Sequence, residues 1–139
     1  MHKFSYIVLF IAVLALCSVA PRNAEARDVN SCQSQFDFAE RLFCEKDYER
    51  AITEYKRCIF LFPHNALSEK AELMVGHSYF KEEKWSEAVL SFGEFIEKYP
   101  ESPDIAEAYY FKGAGERRLK RYEDALSSLE KIQDLDSGE

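Results

Sequence analysis

Between Tyr48 and Phe62 the apolar positions Ala51, Ile52, Tyr55, Ile59 and Phe62 fall three and four residues apart, which draws one stripe along a helix. The same stepping recurs down the chain, and no segment alternates apolar with polar as a half-buried strand does. The predicted fold class is therefore all-α. Helix pairs are expected at about 33–45 with 48–61, 66–82 with 85–98, and 103–119 with 122–135. Punctuation agrees: Asp47 can cap a helix beginning at Tyr48, Pro63 and Pro100 close second helices, and Ser102 offers a hydroxyl ahead of a first-turn Pro103.

Sliding the chain on itself by 37 residues brings three copies into register. Ala39, Gly76 and Gly113 coincide, as do Tyr48, Trp85 and Tyr122, and again Ala51, Ala88 and Ala125. Tyr55, Phe92 and Leu129 follow, and Pro63 matches Pro100. The physical reading is one helix–turn–helix unit used three times. Where two helices cross at about 8–10 Å, a residue no larger than Ala or Gly admits the neighbour, and an aromatic one turn away fills the groove. Gly76 and Gly113 would each cost about 1 kcal/mol relative to Ala inside a helix, so close packing is expected there. Gly115 weakens the third first-helix further.

These units resemble the tetratricopeptide repeat, most closely in the middle copy "AELMVGHSYFKEEKWSEAVLSFGEFIEKYP". The resemblance implies a right-handed superhelical solenoid with units at about 32–65, 69–102 and 106–139. It departs from the family pattern at Lys46, Glu83 and Lys120, which stand where a turn glycine is usual, and at Glu116, which replaces Leu42 and Tyr79 of the other copies. In that family the first helices line a concave groove that takes a peptide or helix of another protein. Carried onto this chain, the groove positions are Phe36, Glu40 and Phe43, then Leu73, Met74, His77 and Phe80, then Tyr110, Phe111, Ala114 and Arg117. Some of these pack between repeats in the alternative reading. The subfamily that clamps a chaperone's terminal carboxylate uses two Lys or Arg and two Asn among five groove positions, which here hold Phe36, Glu40, Met74, Glu107 and Phe111. No such clamp is present.

"AVLSFGEFIEKYPESPDIAEAYYFKG" is similar to bacterial envelope repeat proteins, namely the BamD-type outer-membrane assembly lipoproteins and the CpoB-type periplasmic division coordinators. Those families imply a scaffold without chemistry of its own. The expected function is thus a non-catalytic interaction module in the periplasm or cell envelope. The alternatives are a self-associating structural unit and a truncated fragment of a longer array, because the third pair ends at "DLDSGE" with Leu126, Leu129 and Ile132 on its face.

The N-terminus changes this picture by adding an address. Basic Lys3, an apolar run from Phe4 to Leu16, Pro21 and the small residues Ala24 and Ala26 lay out a secretory leader over residues 1–26, leaving 27–139 as the repeat domain. A membrane association follows only if that segment is retained or if Cys17 is lipidated; Leu16 departs from the small residue usual before a lipidated cysteine. Without Lys3, Arg22 and Glu25, the formal charge of −7 becomes −8, which argues against nucleic acid or an anionic lipid surface as partner. The Arg117–Arg121 basic run sits at a helix C-terminus, where cations complement the dipole.

Export also bears on Cys32, Cys44 and Cys58. The hairpin places Cys32 and Cys58 at one end, within reach of a disulfide, and Cys44 at the other, expected as a half-buried thiol with pairing between molecules as the alternative. No C-x-x-C pair, acid–base pair, activated nucleophile or phosphate loop is found, and within 27–139 His77 stands alone apart from His64. Neither an enzyme nor a cofactor or metal is expected, and the many Glu residues are read as lying mostly on solvated faces.

Overall fold

The computed structural model describes residues 22–137. Its elements are α1 (Arg22–Cys44), α2 (Tyr48–Leu61), α3 (Ala66–Lys81), α4 (Trp85–Lys98), α5 (Ile105–Arg118) and α6 (Tyr122–Ser137), with no strand among the described residues. The chain divides into two units, Met1–Asn30 and Ser31–Glu139, and all packing described below lies within the second. The leader expected over residues 1–26 falls mostly outside the described residues.

α2 and α4 occupy the expected ranges because their boundaries carry local signals. The Asp47 carboxylate accepts the Arg50 backbone N–H at 3.3 Å, so the first turn of α2 is capped. α2 and α4 both stop before proline, with Phe62 and Tyr99 as the last residues whose N–H reaches back into the helix. The start of α5 is a correction. The Ser102 hydroxyl accepts the Asp104 N–H at 3.2 Å and its carbonyl accepts the Ile105 N–H at 3.1 Å, so Ser102-Pro103 makes a tight turn and the α-helix begins at Ile105, not 103. α1 is a second correction: it begins at Arg22 and not near 33. The segment from Asn23 to Arg27 is rich in Ala, Glu and Arg and lacks Gly and Pro, so nothing local stops the helix there.

Each pair is joined by the same three-residue turn. Lys46, Glu83 and Lys120 have φ of 64°, 59° and 63°, the left-handed region. After the first, the Asp47 N–H donates to the Leu42 carbonyl at 2.9 Å and the Lys46 N–H to the Phe43 carbonyl at 3.0 Å. The second repeats this through Lys84 to Tyr79 and Glu83 to Phe80, and the third through Arg121 to Glu116 and Lys120 to Arg117. This is the Schellman closure, made without glycine.

Small residues lie where the helices approach. Ala39, Ala51 and Ala88 are wholly buried and Ala125 nearly so, with Tyr55 and Phe92 filling the space beside them. A Cβ built on Gly76 would sit 2.8 Å from the Phe92 ring, so the ring occupies the volume that any side chain there would need. Gly113 meets the Ala125 carbonyl and Leu129 more loosely, at 3.2 Å. Gly115, expected only to weaken its helix, is a contact point instead: a Cβ there would lie 2.8 Å from Val89. Tyr48 and Trp85 are half-buried, but Tyr122 is 64% exposed, since no described element covers that side of α6.

One core cluster joins α1, α2 and α3 through Phe36, Leu42, Ile52, Tyr55 and Val75. A second joins α3, α4 and α5 through Leu73, Phe92, Phe95 and Ala108. α3 contributes to both, as expected of a solenoid in which each helix packs only on near neighbours.

Candidate partner-binding face

The 37-residue register predicts which side chains share a level on α1, α3 and α5, and the structure shows how differently each level is used. Phe36 and Leu73 are buried in the two clusters, with Phe36 packed on Tyr55 at 5.6 Å between ring centroids. Their counterpart Tyr110 is 56% exposed. Phe36 and Leu73 therefore serve packing rather than an open surface. Glu40 is half-buried and accepts the Tyr55 hydroxyl, so it too is tied to the core. That hydroxyl is held far above its ordinary pKa by burial first and by the Glu40 carboxylate second.

The remaining residues gather around α3 and α5. His77 meets Phe111 edge-on at 4.5 Å and Phe92 at 5.2 Å, and Phe80 meets Phe111 at 5.2 Å and Trp85 at 5.0 Å. Tyr110 stands edge-on to Phe111 at 5.3 Å, which extends the cluster to the surface. Such edge-to-face rings add about 0.5–1.5 kcal/mol per pair beyond the area they bury. Phe43 lies apart, packed on Tyr48 at 5.2 Å, and Met74 is half-buried against the first cluster. Ala114 is half-buried and Arg117 is exposed.

Electrostatics concentrate at His77, only 9% exposed. Its Nε2 lies 3.0 Å from the Glu107 carboxylate of the next repeat. Burial lowers its pKa below the ordinary value and Glu107 opposes this incompletely, so the imidazole is neutral at pH 7. The ring thus works as a polar link between repeats. The Arg118 guanidinium lies 5.2 Å over Trp85, a contact between α5 and α4 that periodicity alone does not register.

Glu116 is a buried exception among glutamates expected to be mostly solvated. It is 4% exposed and holds the Lys112 ammonium at 2.6 Å and the Ser128 hydroxyl at 2.7 Å, while Lys112 also donates to Ser128 at 2.9 Å. The signal for it was present: a charged residue at the level of Leu42 and Tyr79 implies a buried partner, and Lys112 stands one turn earlier. Cys44, expected half-buried, is exposed, whereas Cys32 and Cys58 are buried with their sulfurs 3.4 Å apart as free thiols. Among the described residues no group of three or more His, Cys, Asp or Glu is placed to hold a metal ion, and no helix is long and apolar enough to cross a membrane.

Paired antiparallel helices, small residues at the crossings and aromatics one turn away define a tetratricopeptide-repeat protein. The second TPR of Spaghetti (RPAP3), bound to the HSP90 peptide SRMEEVD, has the same fold at a TM-score of 0.62 and 24% identity, covering 78% of this chain and 96% of that chain. The TPR domain of Arabidopsis FLU gives a TM-score of 0.69 at 19% identity, covering 81% and 99%. Within that class the chain belongs to the YfiO family, described as outer membrane lipoprotein, whose pattern it matches over residues 28–137. The outer membrane protein assembly factor BamD of Rickettsia prowazekii (strain Madrid E) is 37% identical over 71 residues, which are 51% of this chain and 28% of the relative. The chain thus spans under a third of the length of that curated relative.

Proposed function

We propose that this chain is a non-catalytic scaffold of the bacterial envelope that holds a segment of another protein during outer-membrane assembly. The observation that carries the reading is the aromatic cluster of Phe80, Tyr110 and Phe111, continuous across α3 and α5 and reaching solvent at Tyr110. Rigid rings already packed against one another lose little entropy when a partner covers them, so they suit an anchor of the kind that dominates interface energies. Arg117, exposed one turn beyond Ala114, adds a donor for a carboxylate or backbone carbonyl at the edge of that face. Family membership and the BamD relative support the setting.

A photo-crosslinking residue at Tyr110 or Phe80, introduced in growing cells, is expected to capture a discrete envelope protein. The same residue at exposed Thr53 on α2 is expected to capture none. Identical patterns from both faces would sink the reading. The family description also favours lipid attachment at Cys17, despite Leu16 before it. Labelled palmitate incorporated by the native chain and lost in Cys17→Ala is the expected result; equal labelling of both refutes it.

The second reading is self-association, favoured by the exposed apolar stripe of Tyr122, Leu126 and Leu129 on α6.

A further inference from the structure

Cys32 and Cys58 have no exposed surface, lie on paired helices α1 and α2, and bring their sulfurs to 3.4 Å. A disulfide needs about 2.0 Å between sulfurs, so about 1.4 Å of movement shared between the middle of α1 and the last turn of α2 closes the gap. Phe36, Tyr55 and Val75 belong to the same cluster, so the two cysteines are held together by a packed core and not by a mobile loop. We propose that Cys32 and Cys58 form an intramolecular disulfide that staples the first helix pair, leaving Cys44 as a free thiol.

Geometry chooses the pair. Cys44 is exposed at the C-terminal end of α1, and the helical rise sets it roughly 18 Å from Cys32 in the middle of that helix, beyond any disulfide. Burial pushes the Cys58 thiol up to about 12, so in the folded chain almost no thiolate is available there. The bond therefore forms while α1 and α2 are closing, and once formed it is shielded from reductants.

The oxidant is a disulfide of a small thiol or of a thiol–disulfide oxidoreductase. The thiolate of Cys32 attacks one sulfur of that donor, forming a mixed disulfide and releasing one donor thiolate. The thiolate of Cys58 then attacks the Cys32 sulfur, closing the intramolecular bond and releasing the second. The two cysteine protons end on the two donor thiols; the cysteines lose two electrons and the donor gains them. The proposal rests on the envelope reading only for where such a donor is met, because cytosolic thiols stay reduced.

The purified chain, unfolded and reduced, is refolded in a mixture of oxidised and reduced glutathione, alkylated and digested. The peptides carrying Cys32 and Cys58 are expected to be joined until dithiothreitol is added, with Cys44 alkylated throughout. Dithiothreitol is also expected to lower the thermal midpoint by about 10 °C in the native chain and in Cys44→Ser, but not in the Cys32→Ala/Cys58→Ala double variant. Should the double variant not fold, peptide mapping of the native chain still decides. Full alkylation of Cys32 and Cys58 in the refolded protein, or a link through Cys44, overturns the proposal. The scaffold reading stands or falls separately, on crosslinking at Tyr110.

Discussion

Gly76 shows how one missing side chain positions two helices. The Phe92 ring lies where a Cβ would be, at 2.8 Å, and is itself fixed by His77 and by Phe111 stacked on it at 5.8 Å. Gly76→Ala gains about 1 kcal/mol of helix propensity but overpacks a site with no free direction of relief. A net loss of about 1–2 kcal/mol is expected in urea unfolding; an unchanged midpoint would mean that the ring yields freely. The neighbouring His77 gives a pH-dependent counterpart. Its folded pKa is lowered by burial, so on acidification the unfolded chain takes up the proton first, near 6.5, and the folded state loses relative stability until the lowered pKa is also passed. Glu107 and Asp104 oppose that shift and Lys81 reinforces it. The stability difference between the native chain and His77→Gln is therefore expected to move in the variant's favour as pH falls from 7 to 5, and a difference constant over that range would refute the assignment. Both residues were legible as repeat positions, but their roles were not. Periodicity aligns Glu40, His77 and Ala114 without saying that Tyr55 binds the first and Phe92 packs on the second.

At the scale of elements, local signals decided what could be read. α2 and α4 have a capping or apolar start and a proline after the end, so pattern and punctuation agree and their ranges follow from sequence. α1 has no Gly or Pro between Arg22 and the expected start, and the apolar stepping that marked a start near 33 reports burial, not helicity, which explains why the helix reaches back to Arg22, just after Pro21. The turns are the informative departure. Lys46, Glu83 and Lys120 hold left-handed φ, which costs a residue with a Cβ about 1 kcal/mol, yet the Schellman bonds hold them there. Lys46→Gly, Glu83→Gly and Lys120→Gly are each expected to stabilise by about 0.5–1 kcal/mol, after the added entropy of glycine in the unfolded chain is subtracted. The three turns are distant from one another, so the triple variant should approach the sum, read as a thermal midpoint raised by several degrees. A loss of stability at any one turn would show that its side chain makes a contact that outweighs the backbone strain. Glu83 is an exposed candidate for this test, free of the cap duties that Asp47 performs next to Lys46.

For the whole molecule, the question is what α6 meets. Tyr122, Leu126 and Leu129 lie four and three residues apart and so share one stripe, 64%, 60% and 40% exposed, whereas Ala125, one turn before Leu129 at the edge of that stripe, is buried against α5. Burying a leucine fully is worth about 1.5–3 kcal/mol, and this stripe retains only part of that per residue on each copy. Two copies joined along it would gain several kcal/mol before meeting an association cost of about 4–15 kcal/mol. A symmetric dimer on this face is therefore weak at best, and a partner with a longer apolar helix would use the same stripe better. This magnitude favours the scaffold over the self-associating unit. Sedimentation of the mature chain is expected to show a monomer at low micromolar concentration, with association only well above it, and Leu126→Glu is expected to abolish that association while leaving the fold intact. A tight dimer at nanomolar concentration would reverse the ranking, because it would require far more buried surface than α6 exposes, and would point to the Tyr110 face as the place where two copies meet.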